Sequence, residues 1–473
     1  MFIGRKGELE FLMRHIKNKS NILIYGLRGV GKSRLVLESL RRLKDEGING
    51  IYVDCLRIFA PRDLISYVDP SSEHVVRNPK EIIELFFDIV KKKNIRVIVF
   101  DEFTALLETF GELDPFRSGG GAKATVKYLK KFIEGFDGSI IVLDTSIKTL
   151  RELVMDYSSP LLESFNAVLE LGPLELDNAI LLLKEFMKMK GKSISDEVAS
   201  EIADVLGGNP LYLDMISRVL PSSIDLFSAR KIIEEEFVNG IFKAVFNREF
   251  EKLSPQEKEV ITAMSRGYKR YSLLKEEIEA VNVTRAVDEL VKRGFIRAIS
   301  KGQGDVYYVI MDKAFELWLQ IMKHPRFETI TFQKAIEVSA GFKSYIRELL
   351  LALTKQATII DATGRGIRLG PFEKVHWFSE KLGEIGIIAE DDDGITIGEC
   401  YIRAKADINK LKQLIQNMDR AKLLGLNVTK GILFSYFGFT NDAKKAAIKM
   451  KNVYLFEKKQ IQELAKRVGL YIY

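Results

Sequence analysis

Two stretches carry residue types and spacings suited to phosphate chemistry. The first is GLRGVGKS, Gly26 to Ser33, between the apolar run NILIY and an amphipathic stretch. It fits G-x-x-x-x-G-K-[ST], where glycines let backbone N–H groups curl around phosphates and the next helix adds its positive N-terminus. On this pattern Gly26, Leu27, Arg28, Gly29, Val30, Gly31, Lys32, Ser33 and Arg34 form a nucleotide cradle. Lys32 would reach the β- and γ-phosphates, and the Ser33 hydroxyl would ligate Mg²⁺. The second stretch is VIVFDE, Val97 to Glu102, a buried strand presenting Asp101 to the Mg²⁺ and Glu102 beside it. A carboxylate at Glu102 can orient and deprotonate an attacking water. The expected cofactors are therefore ATP or ADP with Mg²⁺. A further strand, IIVLDTS, ends in Thr145 and Ser146, where a γ-phosphate sensor would stand, although such residues also cap helices.

A third constellation is acidic. EIGIIAEDDDGITIGECYIRAK, Glu384 to Lys405, reads as two strands joined by a DDDG turn. Metal-dependent cleavage of a phosphodiester needs two carboxylates on Mg²⁺ and a Lys that positions or activates water. Here the DDD run falls at the turn, facing solvent. Strand periodicity puts Glu399, Tyr401, Arg403 and Lys405 on one face. Lys405 would lie about 20 Å along the strand from Glu399, too far to serve it.

Strand–helix alternation must position the first two stretches. NILIYG, GIYVDC, RVIVFDEF, SIIVLDTS and AVLELGPL read as buried strands, with KSRLVLESLRRLK, PKEIIELFFDIVKKK and KATVKYLKKFIEGF as helices between them. This order predicts an α/β fold, a parallel sheet with helices on both faces, over residues 1–175. Residues 176–245 read as helices only, a candidate lid. Residues 246–326 read as three helices and a hairpin with a Gly-rich tip, the layout of a winged helix-turn-helix. Residues 327–473 mix helices and strands around the acidic hairpin.

Composition narrows the classes. The chain has 473 residues, 47% hydrophobic and 29% charged, enough for about three soluble globular domains. No apolar run reaches the roughly 18 residues of a membrane span, so no membrane partner is expected. MFIGRKGELEFL lacks the basic-then-apolar layout of a signal peptide. Cys55 and Cys400 stand far apart, and only four histidines are present, which argues against a zinc centre and for a reduced, cytoplasmic setting. Residues 1–240 hold 33 basic and 36 acidic side chains, whereas residues 241–473 hold 39 and 29. A basic second half suggests a polyanion such as DNA, or simply a Lys-rich solvated surface. In NVTRAVDELVKRGF, Thr284 and Arg285 head a candidate recognition helix and Lys292 and Arg293 end it, with Lys301 on the wing. Asp288 and Glu289 on the same helix weigh against DNA contact.

FIGRKGELEFL, GLRGVGKS, FDEF, LDTS and GGNPLYL together resemble the archaeal STAND-class ATPases, AAA-like P-loop proteins in which a winged helix follows the nucleotide domain. The resemblance covers roughly residues 1–325. It implies that Ile3, Gly4 and Arg5 lie near adenine and that Pro210 closes the nucleotide site from the lid. Such relatives often carry a finger Arg where SPLLESF has Ser164, so slow hydrolysis is expected, since a finger is worth about 10³-fold or more. Arg151 is a possible substitute.

Residues 327–473 resemble the nuclease-like domain of the PD-(D/E)XK superfamily, on YIREL, the hairpin and FSYFGFTNDAKKAA. That resemblance gives Glu348 and Glu399 the places of metal ligands, but Gly386 stands for the Asp and Tyr401 for the Lys. It implies a degenerate nuclease site. The expectation is a slow ATPase acting as a nucleotide switch with a DNA-binding second half, possible as a homo-oligomer. The alternatives are a protein-binding assembly switch without nucleic acid and an active ATP-dependent nuclease.

Overall fold

The computed structural model describes residues 2–70, 78–112, 121–145, 147–155, 159–266, 269–278, 282–299, 306–322, 341–353, 355–379 and 383–469. Ser146 and Lys301 lie outside the described residues. The chain divides into two units: residues 1–174 with 292–294, and residues 175–291 with 295–473.

Five parallel strands build the first unit: β1 (Ile22–Tyr25), β2 (Gly50–Asp54), β3 (Val97–Asp101), β4 (Ser139–Asp144) and β5 (Ala167–Glu170). Their order is β2-β3-β4-β1-β5. Both faces are covered, so the strands read as unbroken apolar runs rather than alternating ones. Ile22, Ile24, Val97, Val99, Ile141 and Leu143 pack on one face against Leu9, Leu12, Leu35 and Leu43 from helices Lys6–Lys17 and Lys32–Asp45. Leu23, Ile98, Phe100, Ile140 and Val142 point the other way, toward Phe86, Phe103 and Leu129. The parallel α/β sheet expected from the sequence is present.

The second unit begins with helices Leu176–Met189, Asp196–Val205, Pro210–Val219, Leu226–Val238 and Ile241–Glu251. Helices Pro255–Ser265, Tyr271–Glu277 and Val283–Lys292 follow, the last crossing the unit boundary, then an antiparallel pair, β6 (Ile296–Ile299) and β7 (Tyr307–Ile310). After helices Lys313–Met322 and Gly341–Leu351 come the antiparallel pair β8 (Ala357–Ile360) and β9 (Gly366–Leu369). A five-stranded sheet completes the unit: β10 (Lys374–Ser379), β11 (Gly383–Asp391), β12 (Gly394–Tyr401), β13 (Val428–Ser435) and β14 (Val453–Glu457). Its first three strands are antiparallel and its last three parallel. Helix Ile408–Leu423 packs Leu411, Leu414 and Met418 on this sheet.

Two sequence expectations need correction here. β12 ends at Tyr401, so Arg403 and Lys405 lie beyond the strand and do not extend its face. The DDD run does not point wholly to solvent. Asp392 and Asp393 are exposed, but Asp391 closes the β11 ladder against Gly394 and turns toward Lys430 Nζ at 3.7 Å.

Candidate nucleotide site

Sheet order converts separated motifs into one site. β4 lies between β1 and β3, with Tyr25 level with Asp144 and Asp101 level with Leu143. The C-terminal ends of the three strands therefore open together, where α/β folds hold ligands. Gly26 follows β1, and a Cβ there would collide with the Leu171 carbonyl after β5. Gly31 heads the next helix at φ 98°, a left-handed conformation that favours glycine. The first turn of that helix holds no acidic residue, so its positive end is left for an anion.

Lys32 is 5% exposed, and its ammonium donates to the carbonyls of Gly26 at 2.9 Å and Leu27 at 3.1 Å. Burial lowers its pKa to about 8, against the pull of Glu102, Asp101 and Asp144. Arg28 and Arg34 are exposed, while Val30 is buried in the core. Arg5, itself at φ 59°, sends its guanidinium to the carbonyls of Val30 (3.3 Å) and Gly172 and to Glu8 (2.8 Å). The segment Ile3-Gly4-Arg5 is thereby tied to the phosphate loop.

Opposite the loop, Ser33 Oγ donates to Asp101 Oδ2 at 2.5 Å, and the Tyr52 hydroxyl donates to the same oxygen. Glu102 sits at φ 55° and ψ 54°, a costly backbone for a non-glycine residue. Its two carboxylate oxygens accept from Thr145 Oγ1 at 2.7 and 2.6 Å. Asp144, fully buried, accepts from the backbone N–H of Thr104 at 2.8 Å, fastening the helix that Glu102 begins. The structure thus brings together Lys32, Ser33, Asp101, Glu102 and Thr145. Sequence reasoning missed Asp144 and Tyr52. Asp144 was legible as a carboxylate at a strand end; Tyr52 has no local signal, because its role depends on β2 lying beside β3.

Ser164 is buried, donating to Glu134 Oε1 at 3.2 Å, and takes no part in this cluster. Arg151 lies in the short helical turn Arg151–Met155. Pro210 belongs to the second unit, at the first position of helix Pro210–Val219, where Asn209 caps Leu211 N at 3.0 Å. Thr284 is exposed and shares a 2.5 Å hydrogen bond with the Tyr271 hydroxyl; Arg285 is exposed as well. Lys292 and Arg293 group with the first unit, apart from Thr284 and Arg285.

Among the described residues, the hairpin forms no three-ligand metal site. Glu399 Oε1 accepts from Asn417 Nδ2 at 2.6 Å and from Gly386 N at 3.4 Å. A Cβ at Gly386 would stand 2.7 Å from Glu399 Oε2, so the carboxylate fills the space an Asp side chain would need. Tyr401 carries Lys410 Nζ 5.1 Å from its ring centroid. Glu348 is not part of this group, which corrects the expectation. It is 2% exposed and pairs with Lys269 Nζ at 2.5 Å and Lys313 Nζ at 2.7 Å, both of which also reach Glu316. Among the described residues no three His, Cys, Asp or Glu side chains could hold a metal ion together.

Residues 2–216 match the model of a family described as an ATPase domain predominantly from Archaea. The uncharacterized protein MJECL04 of Methanocaldococcus jannaschii is 30% identical over 219 residues, 46% of this chain and 44% of that relative. The match spans less than half of that relative's length. Among solved structures, the Walker-type ATPase PABY2304 of Pyrococcus abyssi aligns over 68% of this chain and 96% of its own, with TM-score 0.52 and 19% identity. The ORC2 protein of Aeropyrum pernix, in ADPNP–ADP complexes, aligns over 67% and 94% with TM-score 0.45 and 16% identity. Residues 2–216 are thus similar to an ATPase domain of archaeal type, and the parallel sheet matches a P-loop NTPase fold.

Proposed function

We propose that this chain binds ATP with Mg²⁺, hydrolyses it slowly, and works as a nucleotide-controlled switch whose basic second half binds DNA. The 2.5 Å approach of Ser33 Oγ to Asp101 Oδ2 beside the buried Lys32 ammonium carries the reading. A hydroxyl and a carboxylate meeting from separate elements are the hard oxygen donors Mg²⁺ takes, so the residues fit the ion. When bound, Mg²⁺ would neutralise charge on the β- and γ-phosphates. Lys32 and the loop N–H groups hold the phosphates, and Glu102 receives the proton of the attacking water. Thr145 orients Glu102 by donating to its carboxylate. Ser164 in the finger position supports slow turnover.

Closure of the helical lid through Pro210 is the proposed conformational readout. Helices Pro255–Ser265, Tyr271–Glu277 and Val283–Lys292 with β6 and β7 are read as a winged helix, and the β10–β14 sheet as a nuclease-like fold that no longer cuts. DNA contact through Thr284, Arg285 and the Lys301 wing would be mostly to phosphates and therefore salt-sensitive. A protein-binding switch without nucleic acid is the second reading. It is favoured by the grouping of Lys292 and Arg293 with the first unit rather than with Thr284 and Arg285.

The test is ATP hydrolysis together with duplex DNA binding across a salt series. Slow Mg²⁺-dependent phosphate release and a falling log K against log salt are expected. No release in Glu102-intact protein would sink the ATPase reading. Absent DNA binding at low salt would leave the protein-binding switch.

A further inference from the structure

Within the second unit, a cavity of about 330 Å³ lies against the end of β12. Helices Asp196–Val205 and Leu226–Val238 supply Glu201 and Arg230 to its wall, and helix Gly341–Leu351 supplies Lys343. Helix Ile408–Leu423 supplies Lys410 and Gln413. Its charges separate into spent and unspent ones. Glu201 is buried and accepts from Arg230 Nη2 at 3.0 Å and from Arg403 Nε at 3.1 Å, so three of the groups satisfy one another. Glu399 is held by Asn417, and Asp204 is engaged too, although its buried Oδ2 accepts no hydrogen bond among the described residues.

Lys343 and Lys410 differ from these. Among the described residues neither has a carboxylate partner. Lys410 Nζ meets only the amide oxygen of Gln413, at 3.3 Å, and the Tyr401 ring. Lys343 makes no hydrogen bond or ion pair there, although its charge is felt at the Cys400 thiol. Both side chains are partly buried. Two ammonium groups facing one concave space repel each other and attract an anion far more strongly than they would in bulk water.

We propose that this cavity binds a small phosphate monoester. Lys343 and Lys410 take the phosphate as point charges, and Gln413 and the Glu399 oxygen not bonded to Asn417 take hydroxyls of the same molecule. The volume, at the lower end of the roughly 300–1,000 Å³ of small-molecule pockets, fits a sugar phosphate. The tie of Arg403 to Glu201 walls one side with helix Asp196–Val205 and disfavours a continuous nucleic-acid strand. A metal ion is disfavoured too, since no three-ligand acidic cluster is present among the described residues.

The test is calorimetric titration of ribose 5-phosphate into the full chain, with Mg-ADP in saturating excess to keep the phosphate loop filled. One site is expected, silent to ribose itself. The double variant Lys343→Met/Lys410→Met should weaken it about 10-fold or more, by loss of charge-assisted bonds. Each single Met variant should weaken it about threefold, which keeps the test readable if the double variant unfolds. Absence of binding at millimolar concentration, or equal binding in the lysine variants, would overturn the proposal. So would a 5′-phosphorylated oligonucleotide that binds at these lysines when ribose 5-phosphate does not.

Discussion

The loop at β1 and the hairpin at β12 are built from the same material, carboxylates at the ends of buried strands, yet they differ in what those carboxylates hold. At the nucleotide site Asp101 receives two hydroxyls, Ser33 and Tyr52, and Glu102 receives a third from Thr145. These are exchangeable partners, and a buried ammonium stands close by. At the hairpin Glu399 is taken by a side-chain amide and a backbone N–H. Carboxylate richness is thus a poor guide to chemistry. Convergence on one centre is what separates the two regions.

The comparison can be broken or sharpened by substitution. The largest effect is expected at Glu102: Glu102→Gln should slow ATP hydrolysis about 10² to 10⁴-fold, the usual worth of a general base, with nucleotide affinity nearly kept. Unchanged turnover in a steady-state phosphate assay would remove Glu102 from the mechanism. Next is Glu348, assigned here to structure rather than to cleavage. Glu348→Ala leaves Lys269 and Lys313 sharing Glu316 alone and should cost about 3–5 kcal/mol in urea unfolding. A cost near zero would return Glu348 to the hairpin's account.

The same ionic cluster sets an acid limit. Burial works against ionisation of Glu316, but Lys269 and Lys313 hold its pKa down to about 2 from an ordinary 4.5. Its depressed value means a contribution to stability that is full above about pH 4.5 and is lost as pH falls toward 2. Denaturant midpoints measured between those limits should fall with acid more gently in Glu316→Gln.

A smaller change is expected at Tyr52. Tyr52→Phe removes one of two donors to Asp101 and should shift the Mg²⁺ concentration needed for tight nucleotide binding about threefold to tenfold, in line with one hydrogen bond to a charged group. An unmoved Mg²⁺ titration would make the contact incidental. The smallest effect belongs to the hairpin. Wild type and Glu399→Ala should leave supercoiled plasmid equally intact with Mg²⁺ or Mn²⁺, and nicking that vanishes in the variant would erase the contrast between the two regions.

The sequence revealed the loop, its lysine and serine, and the Asp-Glu pair, because each is local: a glycine spacing and a strand end. It also gave the strand–helix alternation, since both faces of the sheet are buried and the apolar runs are continuous. Tyr52 joined the site only through strand order, which no short window encodes, whereas Asp144 was readable as a carboxylate at a strand end. Glu348 went astray for the converse reason. Its helix position matched a template, but its partner Lys269 lies 79 residues away in sequence and decided its role. The degenerate character of the hairpin was readable at Gly386 and Tyr401, whereas the capture of Glu399 by Asn417 was not.

Lys32 offers the most direct measurement. Calorimetric titration of Mg-ATP into wild type and Lys32→Ala should show one nucleotide site, weakened about 100-fold or more in the variant, as expected for losing charge-assisted bonds to phosphate. Because burial sets the lysine's pKa at about 8 and bound phosphates would raise it, wild-type affinity should hold below pH 8 and fall above it. Equal affinity in the variant, or binding indifferent to pH between 7 and about 9.5, would contradict a live phosphate site in the first unit.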